Sequence, residues 1–194
     1  MGEDQPSLNT RTQELKDGLA AEICRAFLNV DRLCGVSWSE TAVLDGYGSV
    51  EERLTAKALD TDANWEQVET NPEWNPDSGW GGWAFLDPIG FRYYLPAAMM
   101  RCLRSGHDEG IASHLTLPES WSFPTFNSDL SREAFYQNQS RDHTLEQWSA
   151  LDKNQRSCVK KFLLYMLEID KPDPEWGQPS VWDGALMSYW LDID

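Results

Sequence analysis

The segment that decides the fold is WAFLDPIGFRYYLPAAM, residues 83–99. Asp87 has a side chain that helix N-caps prefer, and Pro88 follows at the first helical position, which proline tolerates well. The apolar residues that come next predict a helix from Ile89 to about Leu103. Because Pro96 lies inside this helix, we expect a kink or a break just before it.

Apolar residues at helical spacing predict further helices on both sides of this segment. The predicted helices are Ser7 to Val30, a short one from about Ser39 to Leu44, one opened by Ser49, a short one over Asp62 to Val68, and a last one from Ser149 to Asp170. Ser49 is followed three residues later by Glu52, which is the arrangement of a capping box. The apolar residues that this helix would turn inward are Val50, Leu54, Ala58 and Leu59.

The remaining segments predict loops and a single domain. Residues 107–127 contain several turn formers and few periodic apolar residues, so they are expected to form a long ordered loop, with 112–117 as a candidate extended piece. No repeat or flexible linker divides the chain. We therefore predict a mostly α, single irregular helical domain of about five or six helices with long ordered loops, over residues 1–194. Residues 6–170 would form the helical core, and the Trp-rich tail 171–194 would pack on it.

Charge and aromatic content limit the possible functions. The 194 residues include 32 Asp and Glu against 16 Lys and Arg, which gives a net charge of -16, and there are 10 Trp. Such a field repels nucleic acid and anionic lipid and attracts basic surfaces. The many aromatic side chains argue against an unfolded acidic tail. The composition therefore favours a basic protein partner and excludes a nucleic-acid binder that works by neutralising phosphates.

The ends and the longest apolar runs indicate a soluble, cytoplasmic protein without membrane segments. Residues 1–6 have neither the basic start nor the apolar centre of a secretory signal. The runs 95–100 and 162–167 are far shorter than the roughly 20 residues that a spanning helix needs.

No pattern of cysteine or histidine predicts a metal or a cofactor. The four cysteines are scattered, and we expect all of them to be reduced and structural, with Cys24 and Cys158 on apolar helix stripes. The three histidines have no zinc-ligand spacing and are expected to be surface or capping residues. No segment has the form of a nucleophile elbow or a phosphate-binding loop. We therefore predict no catalytic residue, metal or cofactor, and an enzyme is the less favoured class.

The segment 83–99 resembles the signature of a family of bacterial proteins of unknown function. Its most distinctive part is the Phe-Arg-Tyr-Tyr-Leu-Pro-Ala-x-Met stretch, here residues 91–99, and residues 145–156, leading into a helix, are similar to a second family segment. The resemblance implies a compact, mostly helical domain and assigns no catalytic residue. Small acidic domains of this kind are often encoded beside toxin genes and are suspected immunity proteins.

An acidic, Trp-bearing segment is the first candidate site. Between residues 51 and 77 eight carboxylates stand against Arg53 and Lys57. Apolar anchors ringed by charge are what an interface with a basic protein would use, because burial supplies affinity and charge supplies steering. The predicted partner-binding residues are Glu66, Glu69, Trp74, Asp77 and Trp80. The competing interpretation is a solvated helix face with its tryptophans in the core.

A polar and aromatic cluster at the start of the central helix is the second candidate site. Asp87, Arg92, Tyr93 and Tyr94 would line a ligand pocket if Arg92 formed a fork to an anion. The structural interpretation is a helix cap, an internal ion pair and two tyrosines whose rings are in the core and whose hydroxyls reach water.

Together these patterns favour a non-enzymatic, acidic protein-binding module. Its most concrete form is an immunity- or antitoxin-type inhibitor of a basic toxin or nuclease domain. The alternative is a small cytoplasmic enzyme or ligand-binding protein that uses the pocket near Asp87, Arg92 and Tyr94. A homodimer formed through the C-terminal tryptophans is a third hypothesis, and the oligomeric state stays open.

Overall fold

The computed structural model describes residues 8–119, 128–170 and 180–193, and these residues contain helices and loops but no strand. The α-helices are α1 (Leu8–Ala26), α2 (Trp38–Asp45), α3 (Val50–Lys57), α4 (Trp65–Thr70), α5 (Pro88–Ser105), α6 (Ser128–Ser149), α7 (Lys153–Ile169) and α8 (Val181–Ser188). Short 3₁₀ helices lie at Gly82–Phe85, Ala112–Leu115 and Trp190–Asp192. The mostly α class is confirmed, while the predicted number of five or six helices was too low for the described residues.

Helix α5 is the centre of the fold, because most of its residues from Gly90 to Leu103 are buried. Asp87 caps it as predicted: its Oδ1 accepts hydrogen bonds from the N–H groups of Gly90 at 2.8 Å and of Val36 at 3.0 Å. The helix runs without interruption through Pro96, so the predicted break is absent. Burial around Pro96 stabilises the continuous helix more than the lost backbone hydrogen bond weakens it.

The other helices are arranged around α5. Helices α1, α4 and α6 pack on α5, α1 also packs along α7, and α7 packs against α8. Helix α2 contacts α3 and the 3₁₀ helix Gly82–Phe85. Helix α3 therefore lies at the periphery, with α2 as its main neighbour.

Helix α1 contains a glycine for which the described structure gives no steric reason. Gly18 is exposed, and a Cβ built on it would have no atom within 4 Å. We expect Gly18→Ala to raise the free energy of unfolding by about 0.5–1 kcal/mol, because glycine loses more conformational freedom than alanine in a helix. Urea unfolding followed by circular dichroism measures the change. Gly90→Ala is the control with the opposite sign, since its Cβ would lie 2.5 Å from the Val36 carbonyl oxygen.

Several sequence predictions for the second half of the chain were wrong. Helix α6 was not predicted, and the last predicted helix begins at Lys153 rather than Ser149, because Asp152 is its N-cap and forms a capping box with Gln155. The candidate extended piece over 112–117 contains a 3₁₀ helix instead. Residues 120–127 of the predicted loop lie outside the described residues.

The described part of the C-terminal tail is packed through its tryptophans. Trp182 and Trp190 are both fully buried. Trp190 donates from Nε1 to the Leu115 carbonyl at 2.8 Å, and its ring centroid lies 4.8 Å from that of Trp148. These two tryptophans are therefore not available for a homodimer contact, while Trp176 lies outside the described residues.

The cysteines are free, but they differ in burial. Cys102 and Cys158 are buried, and loss of solvent raises the pKa of each thiol to about 12. Cys24 and Cys34 are exposed. The prediction for Cys158 is confirmed, and the one for Cys24 was wrong because its side chain lies on the outer face of α1.

His114 is not the surface histidine that we predicted. Its ring centroid lies 6.1 Å from that of Trp83, and burial lowers its pKa to about 4. An unfolded histidine has a pKa near 6.5, so the unfolded state binds the proton first as the pH falls. The contribution of His114 to stability is therefore complete above pH 6.5 and is lost between about pH 6.5 and pH 4.

We expect His114→Phe to reduce the pH dependence of stability over this range. The wild type should lose up to about 3 kcal/mol more than the variant between pH 7 and pH 4, because a pKa difference of one unit corresponds to 1.36 kcal/mol. Urea unfolding at several pH values measures both curves, and the carboxylates contribute equally to each. Parallel curves would mean that the His114 ring is solvated.

Candidate protein-binding surface

The tyrosines of the predicted ligand pocket form a structural hydrogen-bond network. The Tyr93 hydroxyl donates to Asp62 Oδ2 at 2.6 Å. The Tyr94 hydroxyl accepts from Arg32 Nη1 at 2.7 Å and from the Trp38 N–H at 2.8 Å. Both rings are buried, and this burial raises the pKa of both hydroxyls. The hydroxyls therefore bind protein groups rather than water, and they tie α5 to the loops before α2 and α4.

Asp87 and Arg92 contact parts of the molecule outside this tyrosine network. Asp87 caps α5 and holds the Val36 N–H, as described above. Arg92 Nη1 lies 3.4 Å from the carbonyl oxygen of Ala150, in the connection between α6 and α7. The predicted internal ion pair is not among those formed by the described residues. The structure thus gives these side chains separate packing roles and does not bring them together around a ligand.

The predicted partner-binding residues divide into a buried and an exposed group. Glu69 and Trp74 are 5% and 6% exposed, so they lie in the interior. Glu66 and Asp77 are exposed, and Trp80 is 64% exposed. Only the second group is available to a partner, and for Trp74 the competing interpretation, a core tryptophan, fits the structure.

Contacts with two arginines of α5 explain why Glu69 and Trp74 are buried. Arg104 forms an ion pair with Glu69. Arg101 lies 4.8 Å above the Trp74 ring and donates to the backbone carbonyls of Glu69, Asn71 and Trp74. Glu69 and Trp74 are therefore buried by contacts with arginines that are distant in the sequence. The spacing of residues along the sequence does not indicate such contacts.

Helix α3 and its flanks present the apolar side chains that we expected in the core. Val50 is 70% exposed, Leu54 64% and Leu59 71%, while Tyr47, in the turn before the helix, is 97% exposed. We call these four residues the α3 face. The predicted capping box of Ser49 is confirmed, but the predicted inward orientation of Val50, Leu54, Ala58 and Leu59 was wrong.

A buried carboxylate on α2 explains this orientation. Glu40, 5% exposed, accepts from Arg53 Nε at 3.0 Å and Nη2 at 2.7 Å, and its other oxygen lies 3.6 Å from Lys57 Nζ. Burial alone would raise the pKa of Glu40, but the hydrogen bonds from Arg53 and the Ser37 N–H and the nearby positive charges lower it below its ordinary value. Because α3 turns Arg53 and Lys57 toward α2, and Ala56 is its buried residue, Val50 and Leu54 are left exposed.

Trp80 is held beside the end of α2 that precedes the α3 face. The N–H of Gly81 donates to Asp45 Oδ2 at 3.0 Å. Gly81 has φ of 74°, and a Cβ there would lie 2.6 Å from the Ala42 nitrogen, so this close approach requires glycine. Trp80 and Tyr47 therefore flank the same end of α2.

The surroundings of the α3 face are acidic. Glu51 and Glu52 are exposed in the first turn of α3, whereas Asp77, in the loop before Trp80, lies against Gly110. The two cations of this region, Arg53 and Lys57, are paired with Glu40. Exposed apolar side chains with carboxylates beside them suit a positively charged protein surface.

We expect Leu54→Glu to change the free energy of unfolding by less than about 0.5 kcal/mol, because surface substitutions rarely exceed this. Val159→Glu is the contrasting variant, since Val159 is fully buried and an unpaired charge there is strongly destabilising. Thermal and urea unfolding of both variants provide the measurement. A loss of several kcal/mol in Leu54→Glu would restore the sequence-based interpretation, in which this stripe is core.

Among residues 8–119, 128–170 and 180–193, no group of three or more His, Cys, Asp or Glu side chains could hold a metal ion. Within the same residues no helix is both long and apolar enough to cross a membrane.

The described residues thus form helices and loops, with apolar side chains exposed on and beside α3. The chain belongs to the family of unknown function DUF6714, which it matches over residues 15–194. Comparison with curated proteins and with solved structures finds no match to this chain.

Proposed function

We propose that this chain is a non-enzymatic, single-domain protein-binding module that acts in a bacterial cytoplasm. In its most concrete form it is an immunity- or antitoxin-type inhibitor that covers a basic toxin or nuclease domain. The α3 face carries the proposal: large apolar side chains are exposed on a helix whose two cationic side chains, Arg53 and Lys57, are paired with the buried Glu40. The free state of all four cysteines agrees with a reducing compartment.

The placement of the positive charges supports a basic partner. Several cationic side chains donate to backbone carbonyls inside the molecule: Arg92 to Ala150, Arg101 to Trp74, Arg156 to Leu151 and Lys160 to Ile193. Others are paired with carboxylates, as in the cluster around Glu40. The sequence has a net charge of -16, and such a field accelerates the approach of a cationic protein.

The alternative function, a small enzyme or ligand-binding protein with a pocket near Asp87, Arg92 and Tyr94, has weaker support. The Tyr94 hydroxyl is hydrogen-bonded to Arg32 and Trp38, and Asp87 is engaged as a helix cap. A ligand at this position would have to displace those partners.

The test uses the protein encoded by the gene adjacent to the one for this chain as the probe, and its net charge is part of the result. Binding is measured by interferometry at 20 and 500 mM NaCl. We expect the association rate to fall at least about tenfold at the higher salt, because screening removes electrostatic steering. Leu54→Glu and Trp80→Ala should each weaken affinity by about 30-fold or more, as anchor residues do.

Met187→Glu is the matched control, because Met187 is 62% exposed on α8 whereas Leu54 is 64% exposed on α3. The same charge at a similarly exposed helix position should leave the affinity unchanged. Equal affinities for Leu54→Glu and the wild type would contradict the assignment of the α3 face. An adjacent gene product that is neither cationic nor bound would contradict the immunity form of the proposal.

A further inference from the structure

A second exposed apolar feature lies away from the α3 face, between α1 and α7. It is a groove of about 470 Å³. Its apolar lining comes from Leu15 and Leu19 of α1 and from Leu164 and Tyr165 of α7. Leu15 and Leu164 are 47% and 45% exposed, although both belong to helices that otherwise turn their apolar stripes inward.

Gly18 opens the groove. It lies among the groove residues, and nothing stands within 4 Å of the position that its Cβ would occupy. A larger residue at this place would fill the space between the two helices. The glycine therefore leaves room for a side chain that the described part of the chain does not supply.

The margin of the groove is negatively charged. Glu14 and Glu22 line it from α1, and Glu168 lines it from α7. The lysine that lines it, Lys161, is bonded to Glu22 Oε1 at 2.6 Å. The pKa of Tyr165 reflects the same surroundings, since burial and then the negative charge of Glu168 raise it.

We propose that this groove binds a cationic amphipathic helix of a partner protein. Two neighbouring helices with an apolar floor form the type of cleft in which a third helix places apolar side chains at positions i and i+3 or i+4. Lysine or arginine on the flanks of that helix would meet Glu14 and Glu168 along the two margins. The proposal does not depend on the function of the α3 face, because the two surfaces share no residue.

The probe is a fluorescein-labelled 18-residue peptide of leucine and lysine, with the leucines on one helical face. Anisotropy is measured at 150 mM NaCl, where general attraction to an acidic protein is screened. One control peptide has the same composition in an order without a helical face, and another has glutamate in place of lysine. We expect the first peptide to bind at least tenfold more tightly than either control.

Variants of the protein test whether the peptide binds in the groove. Gly18→Leu fills the groove and Leu164→Glu charges its floor, so each should weaken binding at least tenfold. Met187→Glu and Leu54→Glu should leave it unchanged. Gly18→Leu places a better helix former in α1, so we expect this variant to be at least as stable as the wild type, and urea unfolding checks that it is.

Three results would overturn the proposal. The first is equal binding of the amphipathic and control peptides. The second is binding that Leu54→Glu abolishes and Gly18→Leu does not, which would place the peptide on the α3 face and leave the proposed function intact. The third is a wild-type dimer in sedimentation that Gly18→Leu converts to a monomer, which would make a second copy of the chain the occupant.

Discussion

Replacing Trp190 with alanine is expected to lower the free energy of unfolding by about 4 kcal/mol. The indole is fully buried, and it lies 4.8 Å from Trp148 and 5.2 Å from Tyr189 between ring centroids. The substitution removes these contacts and creates a cavity, since the neighbours belong to different segments and cannot all move in. It also leaves the Leu115 carbonyl without its donor, which adds to the loss.

Trp190→Phe separates the two effects. Phenylalanine retains most of the ring contacts and lacks the N–H, so we expect a loss of about 1–2 kcal/mol, typical of a lost buried hydrogen bond together with a small cavity. Urea unfolding measured by circular dichroism compares the three proteins. A loss below about 1 kcal/mol in Trp190→Ala would mean that residues 180–193 do not pack on the rest of the chain as described here.

The parts of the fold that could be predicted from the sequence are those set by local interactions. Asp87 and Pro88 mark the start of α5, and Gly106 ends it with φ of 75°, because caps and left-handed residues act within a few positions of the chain. The capping box of Ser49 is equally local. Such signals establish that a helix exists and where it begins.

The missed helix α6 is held to the body partly by polar contacts. Gln147 donates to the carbonyls of Trp83 and Leu86 at 2.8 and 2.7 Å, and Arg141 donates to that of Pro118. An apolar period cannot indicate contacts of this kind, because the side chains that make them are polar. The segment therefore forms a helix although part of the contact that it makes with the body is polar.

The orientation of α3 could not be predicted for a related reason. The sequence contains its apolar stripe, from which we predicted that this stripe would be buried. In the structure the pairing of Arg53 and Lys57 with Glu40 sets the orientation of the helix instead. A buried carboxylate needs positive partners, since leaving it unpaired costs several kcal/mol. Tertiary packing decides whether Glu40 is buried, and the sequence does not show this. The structure therefore places the candidate site at the α3 face, whereas the sequence analysis placed it at the tryptophans near residue 74.

Arg101→Met is the second large change that we expect, with a loss of about 3 kcal/mol in the free energy of unfolding. Methionine fits beside the Trp74 ring but cannot donate to the carbonyls of Glu69, Asn71 and Trp74. Each carbonyl that loses its donor away from water costs about 1–3 kcal/mol, and the exposed position of Asn71 allows water to replace part of the loss. Urea unfolding measures the total change in the free energy of unfolding.

Hydrogen exchange measured by mass spectrometry tests which part of the structure is destabilised in Arg101→Met. Faster exchange is expected in residues 66–80, which Arg101 holds, and unchanged exchange in α7. Arg101→Lys keeps the charge but not the planar set of donors, so it should lie between the wild type and Arg101→Met in both measurements. Because this segment leads to Trp80, loosening it should also weaken partner binding through Trp80. A uniform increase in exchange over the whole chain would instead mean that Arg101 stabilises the core in general, and that Trp80 is positioned by Gly81 and Asp45 alone.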